Sequence, residues 1–170
     1  ISFQFIKSDQ YCALACGGEL LTVPDLRPGI RADSIYILAA SDTGTDAVFR
    51  FPEAPDREVI ISVPPMTGFL GQYDTRIWER PGKEPRDYIG KNKCLRVDPG
   101  YITRQRLEFY STHMHGAGID FPYYYGYLYR FRIDLPPNVG SIQMPRDARI
   151  KIFSMTASGD NIMLKKSSIL

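Results

Sequence analysis

Apolar and polar residues alternate with a period of two over short stretches from one end of this chain to the other, and turn residues divide the stretches. Successive side chains of an extended strand point to opposite faces, so the pattern fits half-buried strands and fits helices poorly. Residues 34–40 and 46–51, separated by Asp42-Thr43-Gly44, read as neighbouring strands, and residues 59–63 as another, closed by Pro64-Pro65. Residues 104–115, 123–135 and 149–157 complete the series. The 11 Tyr and 9 Phe favour strands, and the 13 Pro and 14 Gly favour tight turns, so helices are expected to be few. With no crossover pattern, the expected fold is all-β: a two-sheet antiparallel β-sandwich, of which the jelly roll is one closure.

Alternation also assigns faces. Leu107, Phe109, Ser111, His113 and His115 share one side of their strand. Tyr125, Tyr127, Tyr129, Phe131 and Ile133 lie opposite Tyr124, Gly126, Leu128, Arg130 and Arg132, which turns both arginines toward solvent or a polar groove. In the last strand Ile150, Ile152, Ser154 and Thr156 are expected on one side and Arg149, Lys151, Phe153 and Met155 on the other. The pattern breaks down between Gly68 and Pro99, and residues 80–92 have almost nothing to bury. They read as a long exposed loop and as the first place to seek a binding surface.

At 170 residues, with no linker and no repeat, the chain is expected to form a single domain spanning residues 1–170. Its 21 basic and 19 acidic residues are scattered, which argues against nucleic acid as a partner. No apolar run approaches the roughly 18 to 20 residues of a membrane span. The start lacks both an initiator Met and a secretory pattern, which reads as a processed chain or an excised fragment. Cys12, Cys16 and Cys94 cannot all pair with one another and are expected as buried free thiols, an exported chain leaving room for one disulfide.

The candidate ligand-binding residues fall in two groups. Trp78, the only Trp, lies beside Tyr73, Asp74 and Arg76. An aromatic ring stacks on the apolar face of a pyranose while Asp and Arg engage its hydroxyls. The bland alternative has Trp78 plugging the end of the sandwich over a buried Asp74–Arg76 pair. His113 and His115, the only histidines, stand two apart on a strand and point the same way. Two imidazoles can share a metal if Asp120 or Asp74 supplies a third ligand, but the expected role is hydrogen bonding, structural or toward a sugar, with no metal and no cofactor. The cluster from Tyr123 to Tyr127 is expected in the core and on the sheet surface. Asp74, Glu79, Glu108 and Asp120 offer carboxylates, yet no spacing selects the pair that glycoside hydrolysis requires, so no catalytic residue is assigned.

Several segments, in order, resemble the C-terminal region of bacterial class II (family 38-type) α-mannosidases. They are Val63-Pro64, Thr67-Gly68-Phe69, Gly71-Gln72-Tyr73-Asp74-Thr75-Arg76-Ile77-Trp78, Ser111-Thr112-His113-Met114-His115, Tyr127-Leu128-Tyr129-Arg130-Phe131 and Met144-Pro145 with Arg149-Ile150-Lys151-Ile152. Residues 32–40 are similar to the strand that opens that module, a galactose-binding-like sandwich. The resemblance implies a non-catalytic accessory domain of a larger glycoside hydrolase, whose metal-binding catalytic apparatus lies upstream and has no match here. It implies a glycan ligand or an adjoining catalytic domain as partner, contact through Tyr73, Asp74, Arg76, Trp78, His113 and His115, and export to a bacterial periplasm or surface. The start of the chain and residues 81–92 depart from the family pattern. An autonomous carbohydrate-binding or cell-surface adhesion module is the alternative.

Overall fold

Strand formation is most strongly dictated at Ser34–Ser41, where apolar residues occupy both parities and the strand is buried on both faces. The structure, a computed structural model, describes residues 2–4, 12–27, 30–71, 73–79, 82–83, 93–159 and 162–167. The loop expected at residues 80–92 falls outside them except for residues 82 and 83. The described strands are β1 (Leu14–Ala15), β2 (Leu20–Thr22), β3 (Asp25–Arg27), β4 (Ile30–Arg31), β5 (Ser34–Ser41), β6 (Thr45–Arg50), β7 (Glu58–Val63), β8 (Phe69–Leu70), β9 (Thr75–Trp78), β10 (Cys94–Asp98), β11 (Gly100–Tyr101), β12 (Arg106–Gly116), β13 (Ile119–Asp134), β14 (Ser141–Gln143), β15 (Ile150–Gly159) and β16 (Ile162–Ser167). Among the described residues there is no helix, and the chain is an all-β sandwich. It forms two compact units, one made of residues 1–66, 105–110 and 127–170 and the other of residues 67–104 and 111–126.

The first unit holds the core. One sheet runs β1-β15-β5-β13-β12, with β16 sharing the outer edge of β15 beyond β1; another runs β2-β14-β6-β7. Antiparallel pairing sets Tyr129, Phe131 and Ile133 of β13 opposite Ala39, Ile37 and Ile35 of β5, all of them buried, as the alternation predicts. Ala47 and Phe49 of β6 face Ile61 and Val59 of β7, and with Phe51, Val63 and Ile142 they supply the inner side of the second sheet. Burying each of the Val, Ile and Phe side chains among them is worth about 1.5–3 kcal/mol. The outer side of that sheet is polar or exposed, with Arg50 and Glu58 paired across the strands at 3.5 Å and Ile60 in solvent.

The faces expected for the last strand are corrected by a β-bulge. Ile152 pairs with Ala39 but Ser154 pairs with Leu38, so Phe153 is an extra residue on β15. One added residue inverts the parity beyond it. Ile150, Ile152, Met155 and Ala157 therefore share the side of Ile35, Ile37 and Ala39, and Ser154 and Thr156 turn to the opposite side. There the two hydroxyls are buried and donate to the carbonyls of Gln4 and Ser2, at 2.9 and 3.2 Å. The two arginines of β13 also differ from each other. Arg132 is exposed, bonded to Asp134 at 2.6 Å and set over the Tyr36 ring, whereas Arg130 is largely covered and reaches Glu108 of β12 at 3.4 Å.

The second unit is built from short pairings: β9 with β10 antiparallel, β8 with β11 parallel, and the turn end of the β12–β13 hairpin. Gly68 and Gly71 have φ of 126° and 68°, in the left-handed region that favours glycine, and a side chain at Gly68 would also press on the Tyr101 ring. The Gly71 amide donates to Tyr101 O at 2.7 Å, which ties the start of the Tyr73–Trp78 segment to β11.

Candidate functional site

All six side chains singled out in the sequence belong to the second unit, on two separate elements. The first group stands on and before β9. Gln72 lies outside the described residues, and Tyr73 projects into solvent with 94% of its surface accessible. Asp74 is exposed, and its Oδ1 accepts a hydrogen bond from the Gly100 amide at 2.9 Å, fixing the turn between β10 and β11. Arg76 is exposed and Trp78 half-buried; two residues apart on β9, they share a face opposite Val97 and Cys94 of β10. The buried Asp74–Arg76 pair weighed above is not formed, because both residues are exposed and the Asp74 carboxylate is engaged by a backbone amide. On β10 Leu95 is an extra residue, and Arg96 closes on Asp98 at 2.8 Å.

The second group sits at the tip of the β12–β13 hairpin. Its turn, Ala117-Gly118, uses a Gly118 φ of 73° and returns Asp120 toward the strand it has just left. As the alternation predicts, His113 and His115 point the same way, with Nε2 atoms 3.2 Å apart and rings in an edge-on arrangement. His115 Nδ1 lies 2.6 Å from Asp120 Oδ1, and His113 Nδ1 lies 3.4 Å from Thr112 Oγ1. The chain Thr112–His113–His115–Asp120 is exposed to solvent throughout. Directly after Asp120, Phe121 and Tyr124 meet edge to face with centroids 5.8 Å apart, both exposed. Sequence reasoning placed Tyr124 in a core-and-surface cluster without marking this exposed pair. The cluster itself divides: Tyr127 is buried in the first unit, Tyr125 is intermediate, and the Tyr123 side chain lies outside the described positions.

Among the described residues no three or more His, Cys, Asp or Glu side chains converge to hold a metal ion, and Asp74 does not join the histidines. Glu53 and Asp147 both have pKa values displaced downward, Glu53 by the Ser141 hydroxyl bonded to it and Asp147 by the Arg149 guanidinium. All three cysteines are free. The expectation of buried thiols holds for Cys16, whose pKa burial pushes up to about 12, and fails for Cys12, which is exposed.

Sequence reasoning missed one concavity altogether. A cavity of about 470 Å³ in the first unit is lined by residues that include Arg31, Asp33, Leu135, Pro136, Asn138 and Val139. Asn138 takes a left-handed φ of 64°, and its carbonyl accepts from Arg31 Nη1 at 3.3 Å. The Leu-Pro-Pro-Asn turn was the only local signal, and it marks a turn without marking a cavity.

Among the described residues no helix is long and apolar enough to cross a membrane. No curated protein matches the chain. Residues 1–161 match the AziU2-like beta-sandwich domain, a span that takes in both units' described strands from β1 to β15, and the chain belongs to that family.

Proposed function

We propose that this chain is a non-catalytic β-sandwich module that holds a glycan against the exposed side chains of its second unit, as an accessory to a glycoside hydrolase of the α-mannosidase type. The observation that carries the reading is the exposure of Tyr73 in a unit that also exposes Phe121, Tyr124 and the hydrogen-bonded histidines. An aromatic ring left in water contributes little to the fold and is suited to cover the apolar face of a sugar, with His and Arg donors for the hydroxyls. The α-mannosidase attachment rests on the ordered segments quoted above; the family match supports the sandwich and does not extend to that link.

Titrating the full chain with mannose-containing oligosaccharides, following Trp78 fluorescence, tests the proposal. A saturable change is expected, with Tyr73→Ala weakening binding about tenfold, the equivalent of about 1.4 kcal/mol. The absence of any saturable change, or hydrolysis of an aryl α-mannoside by the chain alone, would refute it. A second reading, docking of this unit against an adjoining protein domain, is favoured by the exposure of Leu95, Val97, Ile102 and Ile119. It expects these positions, and not Tyr73, to govern co-purification with the neighbouring domain.

A further inference from the structure

We infer that His113 and His115 form a two-imidazole site for a divalent transition-metal cation of the zinc class, with Asp120 as the group that orients His115. The inference does not rest on the glycan reading. Its first support is spacing. The two Nε2 atoms are 3.2 Å apart. Two zinc–nitrogen bonds of about 2.05 Å to one ion would span that separation at an angle of about 100°, close to tetrahedral. Its second support is direction. The ring centroids are 4.7 Å apart, closer than they would be if the two Nε2 lone pairs pointed straight at each other across 3.2 Å, so the rings are bent about the line between the nitrogens and are not collinear with it. Its third support is the far side of the ring. His115 Nδ1 lies 2.6 Å from Asp120 Oδ1, the carboxylate–histidine arrangement that fixes the tautomer of a metal-bound imidazole and leaves Nε2 bare.

The hydrogen bonds are self-consistent without a metal. Asp120 accepts from His115 Nδ1–H, the bare His115 Nε2 accepts from His113 Nε2–H, and His113 Nδ1 accepts from the Thr112 hydroxyl. A cation takes the place of the proton between the two Nε2 atoms. Both rings remain neutral and no proton is lost: the His113 proton moves from Nε2 to Nδ1, and Thr112 Oγ1 changes from donor to acceptor. Asp120 bonds the outer nitrogen, so the protein supplies two ligands and the remaining positions are open to water or to an oxygen of a bound molecule. Neither His is buried, so the ion reaches the site directly.

Calorimetric titration of the full chain with zinc chloride at neutral pH, in a Cys12→Ser background that removes the exposed thiol, tests the inference. One ion per chain is expected, with His113→Ala and His115→Ala each weakening binding at least about tenfold and Asp120→Asn weakening it about 10- to 100-fold. Ring nitrogen NMR of the unsubstituted chain gives a readout independent of any variant's folding. On zinc addition His113 should change from the Nε2–H to the Nδ1–H tautomer while His115 keeps Nδ1–H. Zinc binding untouched by His115→Ala, no saturable heat up to millimolar zinc, or a His113 that keeps its Nε2 proton at saturation would each overturn the assignment.

Discussion

Ser41 is a fully buried polar side chain that stands in for backbone pairing. Its hydroxyl donates to Val63 O at 2.9 Å and accepts from the Gly44 amide at 2.8 Å, closing the turn between β5 and β6 around a Gly44 φ of 80°. Ser41→Ala leaves a donor and an acceptor without this partner, and we expect a loss of about 1–3 kcal/mol in urea unfolding. Asp147 illustrates the charged case at the surface. Its carboxylate accepts from Arg149 Nη2 at 2.6 Å, from the Arg149 amide at 3.0 Å and from Thr45 Oγ1 at 3.1 Å. These bonds hold its pKa well below the ordinary value, the guanidinium bond most of all. The unfolded chain therefore takes up the proton first on acidification. The stabilisation is complete above the unfolded value of about 3.9 and is lost as pH falls toward the folded one. Thermal midpoints measured from about pH 5 downward should fall in the native chain and fall less steeply in Asp147→Asn, the Glu53 contribution remaining in both.

Among the elements, β15 shows what one residue can decide. Phe153 is the extra residue in its pairing with β5, and everything beyond it depends on that insertion. Deleting Phe153 would swing Met155 and Ala157 away from the core and carry Ser154 and Thr156 into it, while Phe153→Ala keeps the register. The deletion should cost more than about 4 kcal/mol by denaturant unfolding and the substitution far less. This is also where the sequence ceased to be legible. Alternation identified Tyr129, Phe131 and Ile133 as inward because β13 pairs with β5 there without interruption. It misassigned Ser154 and Thr156 because a bulge is a property of the pair of strands and leaves no mark in either one. The candidate site divides similarly. That His113 and His115 face the same way follows from their spacing, and Asp120 was named as a possible ligand, but its place on the outer nitrogen depends on the Ala117-Gly118 turn. The engagement of Asp74 by Gly100, 26 residues later, depends on β9 finding β10 across a long intervening segment, which no local pattern records.

At the scale of the whole molecule, burial is shared unequally between the units. The first encloses Phe49, Phe51, Ile37, Tyr129, Ile133 and Ile152 with almost no accessible surface, whereas the second leaves Tyr73, Val97, Ile102 and Phe121 in water. Opening free energies follow buried apolar contact, so amides of β5 and β15 should exchange only by global unfolding and those of β9 and β10 orders of magnitude faster. Uniform protection across both would contradict this. The hydroxyls of Ser154 and Thr156, turned by the bulge to the opposite side of the strand, end on the carbonyls of Gln4 and Ser2. A carbonyl is common to every amino acid, so this clasp is blind to the identity of the residues it holds: positions 2 and 4 are free to drift in sequence, while 154 and 156 carry the whole specification of the contact.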